Sequence, residues 1–224
     1  MSMLTRSKAS EFMATHRNCL LQVFVGVVMP LLGFGLIAEN VATEKVFSWD
    51  INFSETLHRQ AVPDLDQFML FITRLGDINI LWLMVGFGLL ALALNRKTQD
   101  FIFLTLTTLG AVAINTVLKL AFHRTRPHLW TSLRPEPGFG FPSGHSMGSV
   151  TVVAALIVLT WNTRWRYPIL ILGSIVAVLV GLSRVYLGVH YPSDVLGGWA
   201  VSIAWVTLVT LVLRRELFVP RVKG

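Results

Sequence analysis

Ser183-Arg-Val-Tyr-Leu-Gly-Val-His190-Tyr-Pro-Ser-Asp194 joins two long apolar runs, at about residues 169–187 and 194–213. Each run is close to the roughly 20 residues that carry a helix across a bilayer. Yet the joint holds an arginine, a histidine and an aspartate, groups that are costly beside lipid and are kept there for a task. It brings together a cation that can grip a phosphate, an imidazole that can attack it and a carboxylate that can orient the imidazole. Gly188 is placed to end the first helix, Tyr191-Pro192 forces an extended turn, and Ser193-Asp194 is a helix start. His190 and Asp194 then flank one turn. The carboxylate can accept from one ring nitrogen, fix the tautomer and leave the other nitrogen bare.

The alternation of apolar runs and short polar joints extends over the 224 residues. With 54% hydrophobic and 14% charged residues and a positive mean hydropathy, the chain lies far from soluble averages. The fold class expected is therefore all-α: one membrane-embedded domain over residues 1–224 with six transmembrane helices. The spans fall at about 19–38, 66–94, 101–122, 143–161, 169–187 and 194–213. Arg6, Lys8 and Arg17 ahead of the first run make it an uncleaved signal anchor rather than a cleaved signal peptide. Pro30 with Gly26, Gly33 and Gly35 marks that helix as kinked or closely packed. Residues 39–66 read as a loop with an amphipathic piece at the interface, and Pro63-Asp64 as a helix start. Thr73-Arg-Leu-Gly-Asp77 interrupts the second span, and residues 123–142, rich in proline and glycine, are irregular. The single cysteine, Cys19, excludes an intrachain disulfide and reads as a small hydrophobe.

A net charge of +7 would suit nucleic acid, but the basic residues lie between apolar spans rather than in one patch. The expected partners are the bilayer and an anionic lipid, with no nucleic acid and with the oligomeric state open. With the N-terminus inside, eleven of the nineteen Lys and Arg fall on the inner side. Three of the other eight, Lys119, Arg126 and Arg184, belong to polar clusters, which leaves eleven against five. That bias places both termini in the cytoplasm.

The same parity puts three clusters on the outer face. Lys119 and Arg126 supply cations at the end of the third span; Arg suits a bidentate grip on phosphate and Lys a point charge. Pro127 disfavours helix at Arg126, so the two need not share a face. Phe141-Pro-Ser-Gly-His-Ser146 opens the fourth span: Ser143 caps it, Gly144 admits close approach of an anion to the helix terminus, and His145 projects from the first turn. Gly140, Gly144 and Gly148 also share a four-residue spacing suited to helix packing. The third cluster is the Arg184–Asp194 joint. His123 and His128 read as loop or interface residues. Arg124 and Arg134 read either as contacts to a second phosphate or headgroup or as solvated loop charges.

Lys119 with six residues before Arg126-Pro127, Pro142-Ser-Gly-His145, and Ser183-Arg184 with five residues before His190 and three before Asp194 resemble the three-part signature of the type 2 phosphatidic acid phosphatase (lipid phosphate phosphatase) superfamily. That superfamily also holds the vanadium haloperoxidases and bacterial acid phosphatases. Asp50–Gly76, with its Pro-x-Leu-Asp and Thr-x-Leu-Gly-Asp pieces, looks like the bacterial membrane members. The resemblance implies that His190 is a nucleophile forming a phosphohistidine and that Asp194 orients it. His145 would protonate the leaving oxygen and later activate water. Lys119, Arg126, Arg184, Ser143 and the Gly144 N–H would hold the phosphoryl oxygens. No metal or other cofactor is expected.

The implied activity is dephosphorylation of a membrane lipid phosphate or diphosphate, of the undecaprenyl diphosphate, phosphatidylglycerophosphate or phosphatidic acid class. The site would lie at the extracytoplasmic end of the bundle in a bacterial plasma membrane. Among these substrates a compact chain of this kind leans toward undecaprenyl diphosphate. A phosphotransferase using the same histidine is the enzymatic alternative, and a vanadium-dependent oxidation a remoter one. A lipid-headgroup binder or transporter is the alternative of a different class; it would need cations but no oriented nucleophile.

Overall fold

The structure, a computed structural model, describes residues 20–214. The expectations for Cys19, for Arg6, Lys8 and Arg17 and for the basic tail beyond Arg214 lie outside the described residues. Among those described there are helices and no strand. They are α1 (Leu20–Ala42), α2 (Ser48–His58), α3 (Pro63–Leu75), α4 (Ile78–Leu94), α5 (Thr98–Phe122), α6 (Gly144–Thr160), α7 (Arg166–Tyr186) and α8 (Pro192–Leu213).

Among the described residues four helices, α1, α5, α7 and α8, are long and apolar enough to cross a membrane; α3 and α4, bent by 44° at their joint, make a fifth candidate if the pair counts as one span. The remaining expected span, α6, is apolar but only 17 residues long. The bend falls at Gly76-Asp77, inside the interruption read from the sequence. In α1 a π-helical turn, Phe24–Val28, runs directly into Met29-Pro30. Proline has no N–H for the preceding turn, and a widened turn is one way a helix absorbs that loss. The glycines of α1 divide. A side chain at Gly26 would strike Thr207 of α8, whereas Gly33 and Gly35 face open space, so close packing applies to Gly26 alone.

Helix ends follow local chemistry. Pro63 stands in the first turn of α3 with Asp64 and Asp66, where missing donors and negative charge suit the positive end of the dipole. Ser143 caps α6, its hydroxyl accepting from the Ser146 N–H at 3.5 Å. Pro192 opens α8, and the Asp194 carboxylate reaches back to accept from the Tyr191 N–H at 2.9 Å.

Polarity is turned inside out relative to a water-soluble bundle. Leu83, Phe87, Val117 and Leu172 are each more than 60% exposed, on the outside of the bundle. Thr107, Ser202 and Thr210 are buried, and their hydroxyls donate to carbonyls of Phe103, Met147 and Val206. That is the arrangement expected where the surroundings are lipid and every polar group must find an internal partner. Trp161, Trp165 and Tyr167 lie exposed around the α6–α7 joint, as aromatic residues do at a bilayer interface. The helix α6 packs on α5, α7 and α8, and α8 packs on α1 and α5. The ends of α5 and α7 and the starts of α6 and α8 therefore meet at one end of the bundle.

Candidate active site

His190 sits in the α7–α8 joint and is 1% exposed. Gly188 makes the turn into it with φ +71°, and a side chain there would strike the Trp130 indole. Trp130 in turn stacks on His58 of α2, with ring centroids 4.0 Å apart. The loop 123–142 and α2 thus clamp the joint from outside. The His190 ring is held on both sides. Nδ1 faces Asp194 Oδ2 at 3.3 Å, and Nε2 lies 3.0 Å from Arg126 Nη1. A guanidinium only donates, so Nε2 is the accepting, unprotonated nitrogen and Nδ1 carries the hydrogen toward the carboxylate. Burial first, then the charges of Arg126, Arg184 and Lys119, push the His190 pKa well below its ordinary value. The ring is a neutral base with its lone pair aimed into a cluster of cations.

Arg126 and Arg184 meet around one carboxylate, that of Glu136. Arg184, fully buried in the last turn of α7, is ion-paired with Glu136 and donates to Thr73 Oγ1 at 2.6 Å. Its Nε is buried without a hydrogen-bond partner. Arg126 Nη2 lies 3.4 Å from Glu136 Oε2, and His145 Nε2 lies 3.8 Å from Oε1. Burial alone would raise the Glu136 pKa. The charges of Arg184, first, and of Arg126 oppose it, and the carboxyl is held below the usual glutamate range.

His145 projects from the first turn of α6 as expected, and its Nε2 is 2.8 Å from Asp77 Oδ1. Asp77 stands at the α3–α4 bend and takes both its oxygens to Arg134 Nη2, at 2.9 and 3.0 Å. Arg134 is therefore an ion-pair partner of Asp77, neither a solvated charge nor a free phosphate contact.

Arg124 also departs from both sequence readings. It is 9% exposed and lies behind Asp194, bonded to Asp194 Oδ1 at 2.6 Å, Ser193 Oγ at 2.7 Å and Asp50 Oδ2 at 3.2 Å. Asp50, in the first turn of α2, accepts from the Ser193 N–H at 2.8 Å. Burial pushes the Asp50 pKa up, against the hydrogen bonds of Ser193 and the charge of Arg124. Buried charges of this kind persist only when paired and hydrogen-bonded. The guanidinium that looked like a loop charge fixes the carboxylate facing His190.

Lys119, in the last turn of α5, donates through Nζ to the Phe139 carbonyl at 3.0 Å. The helix stops three residues later with His123 at φ 47°, its ring edge-on to Phe139, so Arg126 reaches the site from the loop rather than from the face of α5. Ser143 is fully buried: its hydroxyl accepts from Ser146, and its N–H donates to the Asp194 carbonyl at 3.0 Å. It caps α6 and ties it to α8. Gly144 lies with His145 on the wall of a cavity. Gly140 is in the loop and not on a helix, so only Gly144 and Gly148 of that spacing belong to α6. The cavity, about 450 Å³, runs from Asp77 and His145 down between α4, α5 and α6 to Val85 and Val152. A second, about 460 Å³, lies on the loop side against Arg126, Glu136 and Val189. Among the described residues no group of three or more His, Cys, Asp or Glu is arranged to hold a metal ion.

Sequence reasoning left Asp50, Asp77 and Glu136 without a role and misplaced Arg124, which is bonded to Asp194, Ser193 and Asp50. The Thr-x-Leu-Gly-Asp piece was the one available hint for Asp77. For Asp50 and Glu136 there was none, because an acid in a polar joint reads as solvated.

The sequence matches the PAP2 superfamily over residues 100–217. It is 35% identical over 186 residues to phosphatidylglycerophosphatase B of Bacillus subtilis, covering 80% of this chain and 90% of that protein. It is 28% identical over 176 residues to an undecaprenyl-diphosphatase of Sulfolobus acidocaldarius, covering 76% and 81%. The crystal structure of a transmembrane PAP2 type phosphatidylglycerolphosphate phosphatase from Bacillus subtilis superposes with a TM-score of 0.77 at 31% identity, over 88% of this chain and 98% of that one.

Proposed function

The chain belongs to the PAP2 superfamily and is a phosphatase of lipid phosphates; on that premise we propose that it hydrolyses its substrate through a phosphohistidine on His190. The observation that carries this is the two-sided hold on that ring, Nδ1 on Asp194 and Nε2 turned to the cations. Nε2 attacks phosphorus; the P–N bond forms as the bond to the leaving oxygen breaks, and His145 donates a proton to that oxygen. A water then loses its proton to His145 and attacks phosphorus, the P–N bond breaks, and orthophosphate leaves. Lys119, Arg126, Arg184 and the Gly144 N–H hold the phosphoryl oxygens and oppose the charge that develops. The cavity running from His145 toward Val85 takes the lipid chain.

Phosphatidylglycerophosphate is the substrate we favour, ahead of the undecaprenyl diphosphate to which the sequence leaned. The relative and the solved structure with the fuller coverage carry the former activity in their names. We place the site at the extracytoplasmic end of six spans in a bacterial plasma membrane, with α3–α4 as one span and α6 as a short one. The distribution of Lys and Arg and the bacterial relatives support that placement.

The direct test is phosphate release by purified protein in detergent micelles. Phosphatidylglycerophosphate, undecaprenyl diphosphate and phosphatidic acid are compared by kcat/KM, and the first is expected to lead. Because His190 titrates well below its ordinary value of about 6.5, the neutral nucleophile survives into acid. The acid limb that it sets in kcat/KM is expected below pH 6.5. No release from any of the three would remove the reading.

Asp77 enters as a positioning residue for His145. Asp77→Asn is expected to lower kcat on the lipid substrate by roughly 10–100-fold, less than the roughly 10²–10⁴-fold that a general acid–base group itself contributes, because Asp77 acts only through His145. With p-nitrophenyl phosphate, whose leaving group needs little protonation, formation of the phosphoenzyme is expected to be much less affected. An equal loss on both substrates would mean that Asp77 only supports the fold.

A further inference from the structure

Glu136–Phe139 meets all three cations of the cluster. Lys119 Nζ gives its hydrogen bond to the Phe139 carbonyl. Arg126 Nε and Nη2 donate to the carbonyls of Gly138 and Pro137, each at 3.1 Å. Arg184 is ion-paired with the Glu136 carboxylate, which also lies beside Arg126 Nη2 and His145 Nε2. The segment is shaped for this: prolines stand on both sides of Glu136, and Gly138 turns the chain at φ +78°. The Glu136 side chain is 20% exposed and forms part of the wall of the loop-side cavity. The other carboxylates of the site have cations of their own, Asp194 with Arg124 and Asp77 with Arg134. Glu136 is the carboxylate that shares Arg126 and Arg184 with any incoming anion.

We propose that Glu136 is an internal anion that competes with the phosphoryl group for the Arg126–Arg184 pair and so sets the affinity of the site for substrate and product alike. This rests on the phosphatase reading above. A cluster of buried cations in a membrane meets phosphate groups in great excess, from lipid headgroups and from its own product. Left open, it would be filled by any of them. A tethered carboxylate acts at an effective concentration in the millimolar range or above, so it holds off anions that bind weakly. A phosphoryl dianion offers twice the charge of the carboxylate for the same place and still displaces it. Rotation of the Glu136 side chain is enough to yield that place; the loop carbonyls need not move. When orthophosphate has formed, the returning carboxylate competes for the same guanidiniums and helps to expel it.

A competitor of this kind weakens every anion by a common factor, and that is the quantity to measure. Orthophosphate binding to purified protein in detergent is read by calorimetry, alongside KM for the lipid phosphate. Glu136→Gln is expected to tighten orthophosphate binding about 10-fold or more and to lower KM by a similar factor. Unchanged or weaker orthophosphate binding by the folded variant would overturn the proposal, and so would a fall in KM with no change for orthophosphate. Should Glu136→Gln not fold, Glu136→Asp carries the test, since it keeps the charge but withdraws it by one methylene. Tighter binding then supports the competitor; equal or weaker binding overturns it. Orthophosphate binding needs no turnover, so a wild-type protein that released no phosphate from any lipid would show separately that the phosphatase reading had failed.

Discussion

His190→Ala is expected to lower phosphate release by on the order of 10⁴-fold or more, the scale on which removal of an attacking residue acts in other covalent enzymes. The substitution removes the only group in the cluster with a bare nitrogen facing Arg126. It leaves Asp194 bonded to Arg124 and to the Tyr191 N–H, so the fold should survive. Rapid quench with labelled substrate provides the sharper readout. Wild-type protein is expected to yield an acid-labile, base-stable phosphoenzyme, and His190→Ala none. His145→Asn is expected to accumulate that phosphoenzyme from an aryl phosphate, since attack can proceed while hydrolysis stalls. Undiminished release by His190→Ala would sink the covalent route.

Arg124→Met should be the most damaging substitution outside the attacking residues. It keeps much of the side-chain length but leaves Asp50 and Asp194, both fully buried, facing each other's side of the network with no cation. Breaking a buried ion pair by removing one partner costs about 3–5 kcal/mol. Burial already pushes Asp50 upward, and without the guanidinium that carboxyl will take up a proton. Thermal unfolding in detergent should therefore show a large drop in midpoint, and turnover should fall with it because Asp194 loses its anchor. Arg124→Met combined with Asp50→Asn should recover part of the lost stability without recovering activity. A single variant as stable as wild type would show that the network contributes nothing net.

The readings that transferred from sequence to structure were those encoded within a turn or two. Ser143 as a cap, Gly188 as a helix stop and the His190–Asp194 pair each depend on neighbours in the chain, where backbone rules act directly. The bend at Gly76-Asp77 was visible as a break in hydropathy. Convergence of the three clusters followed from the parity of the spans alone. What stayed hidden was pairing across distance. Arg124 finds Asp194 70 residues away and Asp50 74 away, and Arg134 finds Asp77 57 away. A charge in a polar joint looks the same whether it ends in water or in a buried network. Glu136, between two prolines in an irregular loop, offered even less, because its role comes from the cations around it and not from its own neighbours.

The tie between α2 and α8 through Arg124 also bears on how the protein is made. In synthesis Asp50 emerges before Arg124, and Ser193 and Asp194 arrive with the last described helix. Until that helix inserts, Asp50 and Arg124 have only each other, and His190 has no carboxylate. On the proposed mechanism, catalytic competence is therefore coupled to arrival of α8: without it the chain carries a cation cluster but no carboxylate to orient His190. The His190–Asp194 pair is complete only once α8 is in place.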